Sequence, residues 1–335
     1  MIHSAIRQFT TSALKMSASK LTIACGQMCS SSNLAANARV ATKLIDQAVA
    51  KNVKVLFLPE AADYISRDAA HSVQLANDSK DKFINVLQNH VRAIHDRAEG
   101  NAQEKGIFVA VGVHEPAEGA NKGKKVRNNQ LWIDNRGEIA HTYQKLHLFD
   151  INIPNGPILK ESNSVEPGQE ILPPFKINEG EFAKFSVGLA ICYDIRFNEM
   201  ALRLRRLGAN IITFPSAFTT RTGEAHWLKL GKARAIDSQC YVVMAAQCGE
   251  HDVYADVEEN TAEGKKVRVS YGQSVIIGPW GEVVAKGDTY LERPQEEKEY
   301  SQLIVGEIDL DYVEKIRRDL PVFTHRRPEI FGYEV

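Results

Sequence analysis

The stretch GLAICYDIRFNE, residues 188–199, begins as an apolar run and turns into charged sequence just after Cys192. The apolar run predicts a buried strand, and the NEMALRLRRLG that follows predicts a helix beginning near Asn198. On its own, Cys192 fits a small buried residue at the end of a core strand. A strand end in front of a helix is also where an α/β protein holds a reactive side chain, so both interpretations stay open at this point.

The rest of the chain repeats this alternation of short β-rich runs and helical patterns. LTIACGQM predicts a first strand, and the next segment places Val40, Leu44 and Ala48 on one face of a helix. Later strands follow one another both through helices and through hairpins, with turns at residues 135–137 and 280–281. This mixture predicts an α/β fold with two mixed β-sheets covered by helices, an αββα four-layer sandwich.

The 335-residue chain has no linker rich in Pro, Gly or Ser and no internal repeat, so we expect one domain over residues 21–335. Three polar stretches, 116–127, 251–269 and 287–300, are expected to be surface loops. The C-terminal LPVFTHRRPEIFGYEV is too apolar for a free tail. We expect it to pack, either in a subunit contact of a homodimer or larger homo-oligomer or within its own chain.

Residues 1–20 contain basic residues and many Ser and Thr, and no acidic residue occurs before Asp46. This composition fits a mitochondrial targeting segment and a disordered tail equally well. A second start at Met16, just before the first predicted strand, would give a cytosolic form. We therefore expect a cytoplasmic location, a mitochondrial location, or both.

The overall charge excludes several kinds of partner. Lysine plus arginine (41) nearly balances aspartate plus glutamate (42), so no whole-chain field favours nucleic acid or an anionic membrane. No apolar run approaches the roughly 20 residues of a membrane span. We therefore expect a small-molecule substrate and neither a nucleic-acid nor a membrane partner.

The cysteines occur in an odd number and form no C-x-x-C pair, which predicts a reducing compartment. Cys25 and Cys29 end the first predicted strand without the second pair of ligands that structural zinc requires. We therefore expect no metal, and nothing in the sequence requires a cofactor. Cys240 and Cys248 lie at the ends of the apolar run CYVVMAAQC and are expected to be inert core thiols.

Three predicted strands end in chemically complementary side chains. VKVLFLPE ends in Glu60, GEIAHTYQK in Lys145 and FSVGLAIC in Cys192. Each has an ordinary structural alternative: a helix-capping carboxylate, a solvated lysine and a buried thiol, respectively. Strand ends are where α/β proteins build their sites, however, and a carboxylate, an ammonium and a thiol together suit acyl transfer.

In such a site the cysteine would attack as thiolate, which Lys145 and the nearby helix start would favour. Glu60 would take the thiol proton and pass it to the leaving amine. Lys145 and the backbone N–H of Tyr193 would stabilise the oxyanion. A Cys–His dyad that uses His147 or His226 is the alternative within the same chemistry.

Two hypotheses come from other classes of protein. A metal-dependent phosphoesterase also adopts four αββα layers, but Lys145 and Cys192 are poor ligands for a hard cation. A non-catalytic interaction protein on the same scaffold would have no need of a glutamate, a lysine and a cysteine at three strand ends.

The segments LPEAADY, YQKLHLFD and GLAICYDIRF together resemble the nitrilase superfamily, carbon–nitrogen hydrolases with a Glu–Lys–Cys triad. The resemblance extends over about residues 21–333 and implies an αββα sandwich that assembles at least as a dimer. It implies Glu60 as general base, Lys145 as oxyanion stabiliser and Cys192 as nucleophile. A second glutamate of the family matches Glu161 in LKESNSVEPG and would fix Lys145, the alternative being a plain loop carboxylate.

A narrower resemblance is carried by KLHLFDINIPNGPILKESNSVEPG, FPSAFTTRTGEAHW and LPVFTHRRPEIFG, which are similar to the deaminated glutathione amidases. That branch implies metabolite repair, in which the amide between a 2-oxoglutaryl group and Cys-Gly is hydrolysed. The alternative is an ω-amidase acting on 2-oxoglutaramate, or a hydrolase of another small amide.

A 2-oxoglutaryl-Cys-Gly substrate carries two negative charges, so its pocket needs cations and hydrogen-bond donors. The candidates for substrate contact are Tyr64, Phe149, Arg196, Thr219, Arg221 and Trp227. The aromatic candidates fit ordinary core positions equally well, and Arg221 and Thr219 fit a plain loop. For Arg196 the alternative is an internal ion pair with Asp194 or Glu199.

Overall fold

The structure, a computed structural model, describes residues 19–98, 106–152, 158–177, 180, 182–256, 267–294 and 299–332. The strands are β1 (Lys20–Met28), β2 (Val55–Phe57), β3 (Phe108–Pro116), β4 (Val126–Ile133), β5 (Ile139–Gln144), β6 (Asp150–Asn152), β7 (Ile158–Lys160), β8 (Val165–Glu166), β9 (Phe175–Lys176), β10 (Ser186–Gly188), β11 (Ile211–Thr213), β12 (Tyr241–Met244), β13 (Cys248–His251), β14 (Arg268–Tyr271), β15 (Val275–Ile277), β16 (Val283–Lys286) and β17 (Ser301–Asp309). The α-helices are α1 (Leu34–Ala50), α2 (Ala69–Ser79), α3 (Asn85–Arg97), α4 (Asn198–Arg206), α5 (Thr220–Ser238), α6 (Leu310–Asp319) and α7 (Pro328–Phe331).

Two mixed sheets organise these strands. The first sheet has the order β17-β1-β2-β3-β4-β5, with β8 also paired to β4. Its β1, β2 and β3 are parallel; β17 pairs antiparallel with β1, β4 with β3, and β5 with β4. The second sheet has the order β16-β15-β12-β11-β10-β9, with β10, β11 and β12 parallel. The predicted pair of mixed sheets is therefore confirmed.

The layers follow from side-chain alternation along the strands. On β1, Ile23 and Cys25 face a core shared with the second sheet, whereas Ala24 and Met28 face a core under α1 and α3. Successive strand residues point to opposite faces, so a strand buried on both sides contributes to both cores. Burying each large aliphatic side chain contributes about 1.5–3 kcal/mol. With α4 and α5 covering the second sheet, the order is helix, sheet, sheet, helix, as predicted.

Several helices and strands of the structure were not predicted from the sequence. The helix α2 was not predicted because its buried face includes His71, Ser72 and Ser79, which weaken the apolar periodicity. The strand β17 and the helix α6 after it were also missed. The polar stretch 251–269, expected as a loop, contributes His251 to β13 and residues 268–269 to β14, which pair as an antiparallel hairpin.

The helix α5 begins six residues earlier than the apolar pattern suggests. Thr219 is its N-cap, and the Thr219 hydroxyl accepts from the N–H of Thr222 at 3.4 Å. This start places residues 220–225 on a helix rather than on a loop. No helix among the described residues combines the length and the apolarity needed to cross a membrane.

The segment after β2 is held against β3 by backbone hydrogen bonds. The N–H of Gly112 donates to Pro59 O at 3.1 Å, and the N–H of Ala62 donates to Gly112 O at 2.8 Å. A Cβ at position 112 would lie 2.5 Å from Glu60 Cα and 2.6 Å from Pro59 O. A side chain larger than hydrogen at Gly112 therefore displaces the backbone that carries Glu60.

We predict that Gly112→Ala lowers the free energy of unfolding by about 1–3 kcal/mol, because the new methyl group meets backbone atoms that cannot yield. Urea denaturation followed by tryptophan fluorescence measures this change. The matched control is Gly306→Ala on β17, where a Cβ meets only the ends of aliphatic side chains at 3.1 Å. An unfolding free energy equal in the two variants would contradict the close approach.

Candidate active site

The carboxylate of Glu60 is buried and fully bonded. Its Oε1 accepts from Lys145 Nζ at 2.9 Å and from Asn128 Nδ2 at 2.9 Å. Its Oε2 accepts from the backbone N–H of Ala217 at 2.9 Å. Three donors on three different segments thus fix both oxygens, which leaves the carboxylate one orientation.

The backbone beside Glu60 is held as firmly as its side chain. Ala61 adopts a left-handed conformation, with φ +56°, which is uncommon for a residue with a Cβ. The amide of Gln247 donates to Glu60 O at 3.1 Å and to Ala61 O at 3.0 Å. Gln247 is fully buried, so these bonds form in a medium of low polarity.

The ammonium of Lys145 lies between two carboxylates. Besides Glu60, it donates to Glu161 Oε1 at 2.9 Å and Oε2 at 3.0 Å. Glu161 is fixed in turn by the N–H of Phe149, which donates to Oε2 at 2.7 Å. The structure therefore brings Glu161 to Lys145, as the family resemblance implied, and does not leave it as a solvated loop carboxylate.

The backbone of Cys192 is strained. Its φ is +45°, a left-handed value that costs about 1–2 kcal/mol for a residue with a Cβ. The N–H of Cys192 donates to Pro215 O at 3.0 Å, and a short 3₁₀ helix, Cys192–Arg196, begins at this residue. This sharp turn between a strand and a helical segment places Cys192 in the lining of the cavity that Glu60 also lines.

The turn is anchored by the buried carboxylate of Asp194. Its Oδ2 accepts from the N–H of Ile191 at 2.9 Å and from the Tyr143 hydroxyl at 2.7 Å. Its Oδ1 accepts from the backbone N–H of His147 at 3.1 Å and contacts the Nδ1 of the same residue at 2.7 Å. Asp194 thus ties the residue before Cys192, the strand β5 and the segment after Lys145 into one unit.

The charges in the site shift the pKa values in a definite direction. Burial alone would raise the pKa of Glu60, but Lys145 outweighs it and holds that pKa below its usual range. Burial would lower the pKa of Lys145, but Glu161 and Glu60 raise it well above 10.5. Burial and then the charge of Glu60 raise the pKa of the Cys192 thiol well above 9.0, against the opposing effect of Lys145.

The resting site therefore holds an ionised Glu60, a charged Lys145 and a protonated Cys192. This corrects the expectation that Lys145 and the helix start favour the thiolate, because desolvation and the neighbouring carboxylate outweigh the lysine.

These groups lie at the bottom of a cavity of about 610 Å³. Tyr64, Phe149 and Thr219 line it, as does Tyr193. The backbone N–H of Tyr193 has no acceptor among the described residues. This leaves a backbone donor available one residue after the thiol, at a residue that lines the cavity.

Two predicted contact residues lie elsewhere. Arg221 is exposed in the first turn of α5, and its side chain is absent from the lining of the cavity described above. Trp227 is buried; its Nε1 donates to Gln273 O at 2.8 Å and its ring packs edge-on against Phe218 at 4.9 Å. Neither residue lines the cavity, since α5 begins early and leaves Arg221 exposed and Trp227 in the core.

Arg196 does line the cavity. Its guanidinium lies 5.8 Å from the ring centroids of both Tyr193 and Phe218 and 3.3 Å from His226 Nδ1. Within the described residues it forms no ion pair with Asp194 or Glu199, so the expected internal salt bridge is not present. Asp194 is unavailable because Tyr143 and two other donors already occupy it.

The histidines named for a Cys–His dyad are not beside the thiol. His147 stacks on Phe197 with a centroid distance of 3.7 Å and lines a separate cleft with Met200. His226 contacts Arg196 on the outer side. Among the described residues no group of three or more His, Cys, Asp or Glu side chains is arranged to hold a metal ion.

Sequence reasoning missed three groups that support the site. Asn128 bonds Glu60 and lies in a strand whose polar residues give no distinctive motif. Gln247 lies near the end of the apolar run CYVVMAAQC, between β12 and β13, where a buried glutamine is an exception to the pattern. Asp63, fully buried three residues after Glu60, accepts from His114 Nδ1 at 3.0 Å. Burial would lower the pKa of His114, but Asp63 outweighs it and raises that pKa above 6.5.

The fold and the site define a hydrolase of the nitrilase kind. The chain belongs to the carbon–nitrogen hydrolase family, whose pattern matches residues 22–318. It is accordingly an enzyme that hydrolyses carbon–nitrogen bonds other than peptide bonds. The family and fold predicted from the sequence are therefore confirmed.

Curated relatives match nearly the whole chain. A protein of Schizosaccharomyces pombe named "Probable hydrolase nit2" is 40% identical over 92% of this chain and 98% of its own length. The deaminated glutathione amidase of Mus musculus is 36% identical over 92% of this chain and 84% of its own length. Among solved structures, the C. elegans NitFhit protein superposes with a TM-score of 0.76 at 34% identity, covering 95% of this chain and 67% of that one.

We predict that the thiolate of Cys192 appears only at strongly alkaline pH. Its ultraviolet absorbance is obtained by subtracting the titration of Cys192→Ser from that of the wild type. In Glu60→Gln the same absorbance should appear at least about one pH unit lower, because the charge that raises the thiol pKa is gone.

The control for this titration is Glu118→Gln, which removes a carboxylate that is largely exposed and lies outside the cavity lining. Thiolate absorbance at neutral pH in the wild type would show that the field of Lys145 prevails over that of Glu60.

Proposed function

We propose that this chain hydrolyses deaminated glutathione, the amide of 2-oxoglutarate with Cys-Gly, through a thioester on Cys192. The observation that carries the proposal is the meeting of Cys192, Glu60 and Lys145 in one cavity. Arg196 lines the same cavity, and its guanidinium forms no ion pair with any carboxylate that the structure describes. The similarity to an amidase of that name in Mus musculus supports the substrate.

In the first step the Cys192 sulfur attacks the amide carbonyl carbon, and the thiol proton passes to Glu60. The charge on Glu60 is available for this because Lys145 keeps its pKa low. The C–N bond then breaks, the proton goes from Glu60 to the leaving amine, and Cys-Gly departs. A 2-oxoglutaryl thioester remains on Cys192.

Charge that develops on the carbonyl oxygen meets two donors. The N–H of Tyr193 is unpaired among the described residues, and Lys145 keeps its proton because Glu161 and Glu60 raise its pKa. Donors already fixed in place stabilise a transition state without reorganising, and one such donor is typically worth about 2.7–4 kcal/mol. Glu161 is then a positioning residue that holds the ammonium of Lys145.

In the second step a water molecule attacks the thioester carbon. Glu60 takes a proton from that water, the C–S bond breaks, and the proton returns to the Cys192 sulfur. The products are 2-oxoglutarate and the regenerated thiol, so one water is consumed for each amide bond broken.

Arg196 provides a cation for the 2-oxo acid head of the substrate. It lies four residues after the nucleophile on a turn fixed by Asp194, so its guanidinium has a defined position relative to the sulfur. Tyr64, Phe149 and Thr219 supply the remaining walls. A charge-assisted contact of this kind suits a carboxylate in a partly buried cavity.

We also propose one domain over residues 21–335 and a homodimer or larger homo-oligomer in which the C-terminal segment lies in a subunit contact. The exposed side chains of Leu320, Ile330 and Phe331 support a contact there. Residues 1–18 lie outside the described residues, so the interpretation of residues 1–20 as a targeting segment or disordered tail stays a prediction. A cytoplasmic location, a mitochondrial one, or both remains part of this proposal.

We predict that acid quenching during turnover of deaminated glutathione traps a 2-oxoglutaryl adduct on Cys192, seen by intact mass and located by peptide mapping. Cys192→Ala should form no adduct and lose activity, whereas Cys248→Ala should keep both. Turnover that persists in Cys192→Ala would overturn the thioester mechanism.

We further predict that kcat/KM for deaminated glutathione exceeds that for 2-oxoglutaramate by at least about tenfold, a difference of about 1.4 kcal/mol. The two substrates share their acyl group, so the comparison isolates the leaving group. Equal or faster turnover of 2-oxoglutaramate would make ω-amidase the function of this chain.

A further inference from the structure

A second arginine lines the cavity on a different element. Arg268 begins β14 and pairs in register with His251 of β13. The hairpin is fixed to the start of α5, because Ser270 forms a bridge with Thr219 and the N–H of Tyr271 donates to Phe218 O at 2.9 Å. Arg268 therefore has a defined position on the cavity wall, although its side chain is exposed.

The guanidinium of Arg268 takes part in no ion pair within the described residues. The carboxylate whose charge acts on it is that of Asp68. Asp68 is the N-cap of α2 and already accepts from the N–H of His71 at 2.8 Å, and its other oxygen lies 4.0 Å from Arg67 Nε. Arg268 thus keeps its donors for a group that enters the cavity.

The other cations of the cavity wall have different positions. Lys145 is occupied by its two carboxylates at the bottom, and Arg196 lies on the turn that carries Cys192. Arg268 instead belongs to the hairpin β13–β14, an element that carries neither of the other two cations. Between these charges the lining is partly apolar, including Ile65 and Val269.

The substrate of the proposed function has two carboxylates on opposite sides of the scissile amide. One belongs to the 2-oxo acid head, and the other ends the glycine of the leaving dipeptide. Two extended residues span about 7 Å, so the glycine carboxylate lies well away from the attacked carbon. Two separate cations on different walls suit two separated anions better than one cluster does.

We propose that Arg268 binds the terminal carboxylate of the leaving dipeptide and is the residue that favours Cys-Gly over ammonia as leaving group. This inference rests on the proposed function. Arg268 touches only the departing part of the substrate, so it strengthens binding without taking part in bond making or breaking.

The experiment uses three substrates with one acyl group: 2-oxoglutaryl-Cys-Gly, the same compound with a C-terminal carboxamide, and 2-oxoglutaramate. In Arg268→Gln the KM for the first substrate should rise about ten- to fifty-fold, with kcat nearly unchanged, since one charged hydrogen-bonding pair is lost. Neither parameter should change for the other two. Arg268→Lys should recover part of the loss. The positive charge is kept, but the two parallel N–H donors of the guanidinium are lost.

Two further variants serve as a control and a comparison. Arg136→Gln alters an exposed arginine in the turn between β4 and β5 and should match the wild type on all three substrates. Arg196→Gln should weaken all three, because all three share the 2-oxo acid head.

The outcomes separate the two proposals. If the wild type hydrolyses none of the three substrates, the proposed function is overturned, and this inference with it. Normal wild-type turnover combined with an Arg268→Gln variant that loses all three equally, or none, would overturn only the role of Arg268. Equal thermal unfolding of Arg268→Gln and wild type excludes a folding defect as the cause.

Discussion

The buried ammonium of Lys145 between the carboxylates of Glu60 and Glu161 is the interaction on which the site depends. Three charges removed from water are stable only while all of them stay together; removing one partner of such a group typically costs about 3–5 kcal/mol. Each charge comes from a different part of the chain: Glu60 beyond β2, Lys145 beyond β5 and Glu161 before β8. The ion group therefore holds the edge of the first sheet together as well as setting the proton affinities of the site.

Much of this was predictable because strand ends are visible in sequence. A buried strand is an apolar run, and the first polar residue after it must emerge at the rim of the sheet, which is why Glu60, Lys145 and Cys192 were predicted to meet. The four layers were predictable for the same reason, since strands buried on both faces need covers on both sides.

The rest depends on contacts between distant segments, which no local pattern encodes. The Gln247 side chain donates to the backbone carbonyl of Glu60, 187 residues away in the sequence. The sequence around Gln247 contains no motif that predicts this contact. Arg221 was misplaced because a threonine cap starts α5 early. The direction of the Cys192 pKa was misjudged because sequence shows which charges are near but not how completely the thiol is desolvated.

The raised pKa of the Cys192 thiol has a consequence for redox chemistry. Peroxides oxidise thiolates far faster than thiols, and oxidation follows thiolate character and exposure. In the proposed mechanism Cys192 loses its proton only as it attacks a substrate carbonyl, so between turnovers it stays in the thiol form that oxidants attack slowly. The raised pKa of the Cys192 thiol thereby limits its oxidation to sulfenic and sulfinic acids.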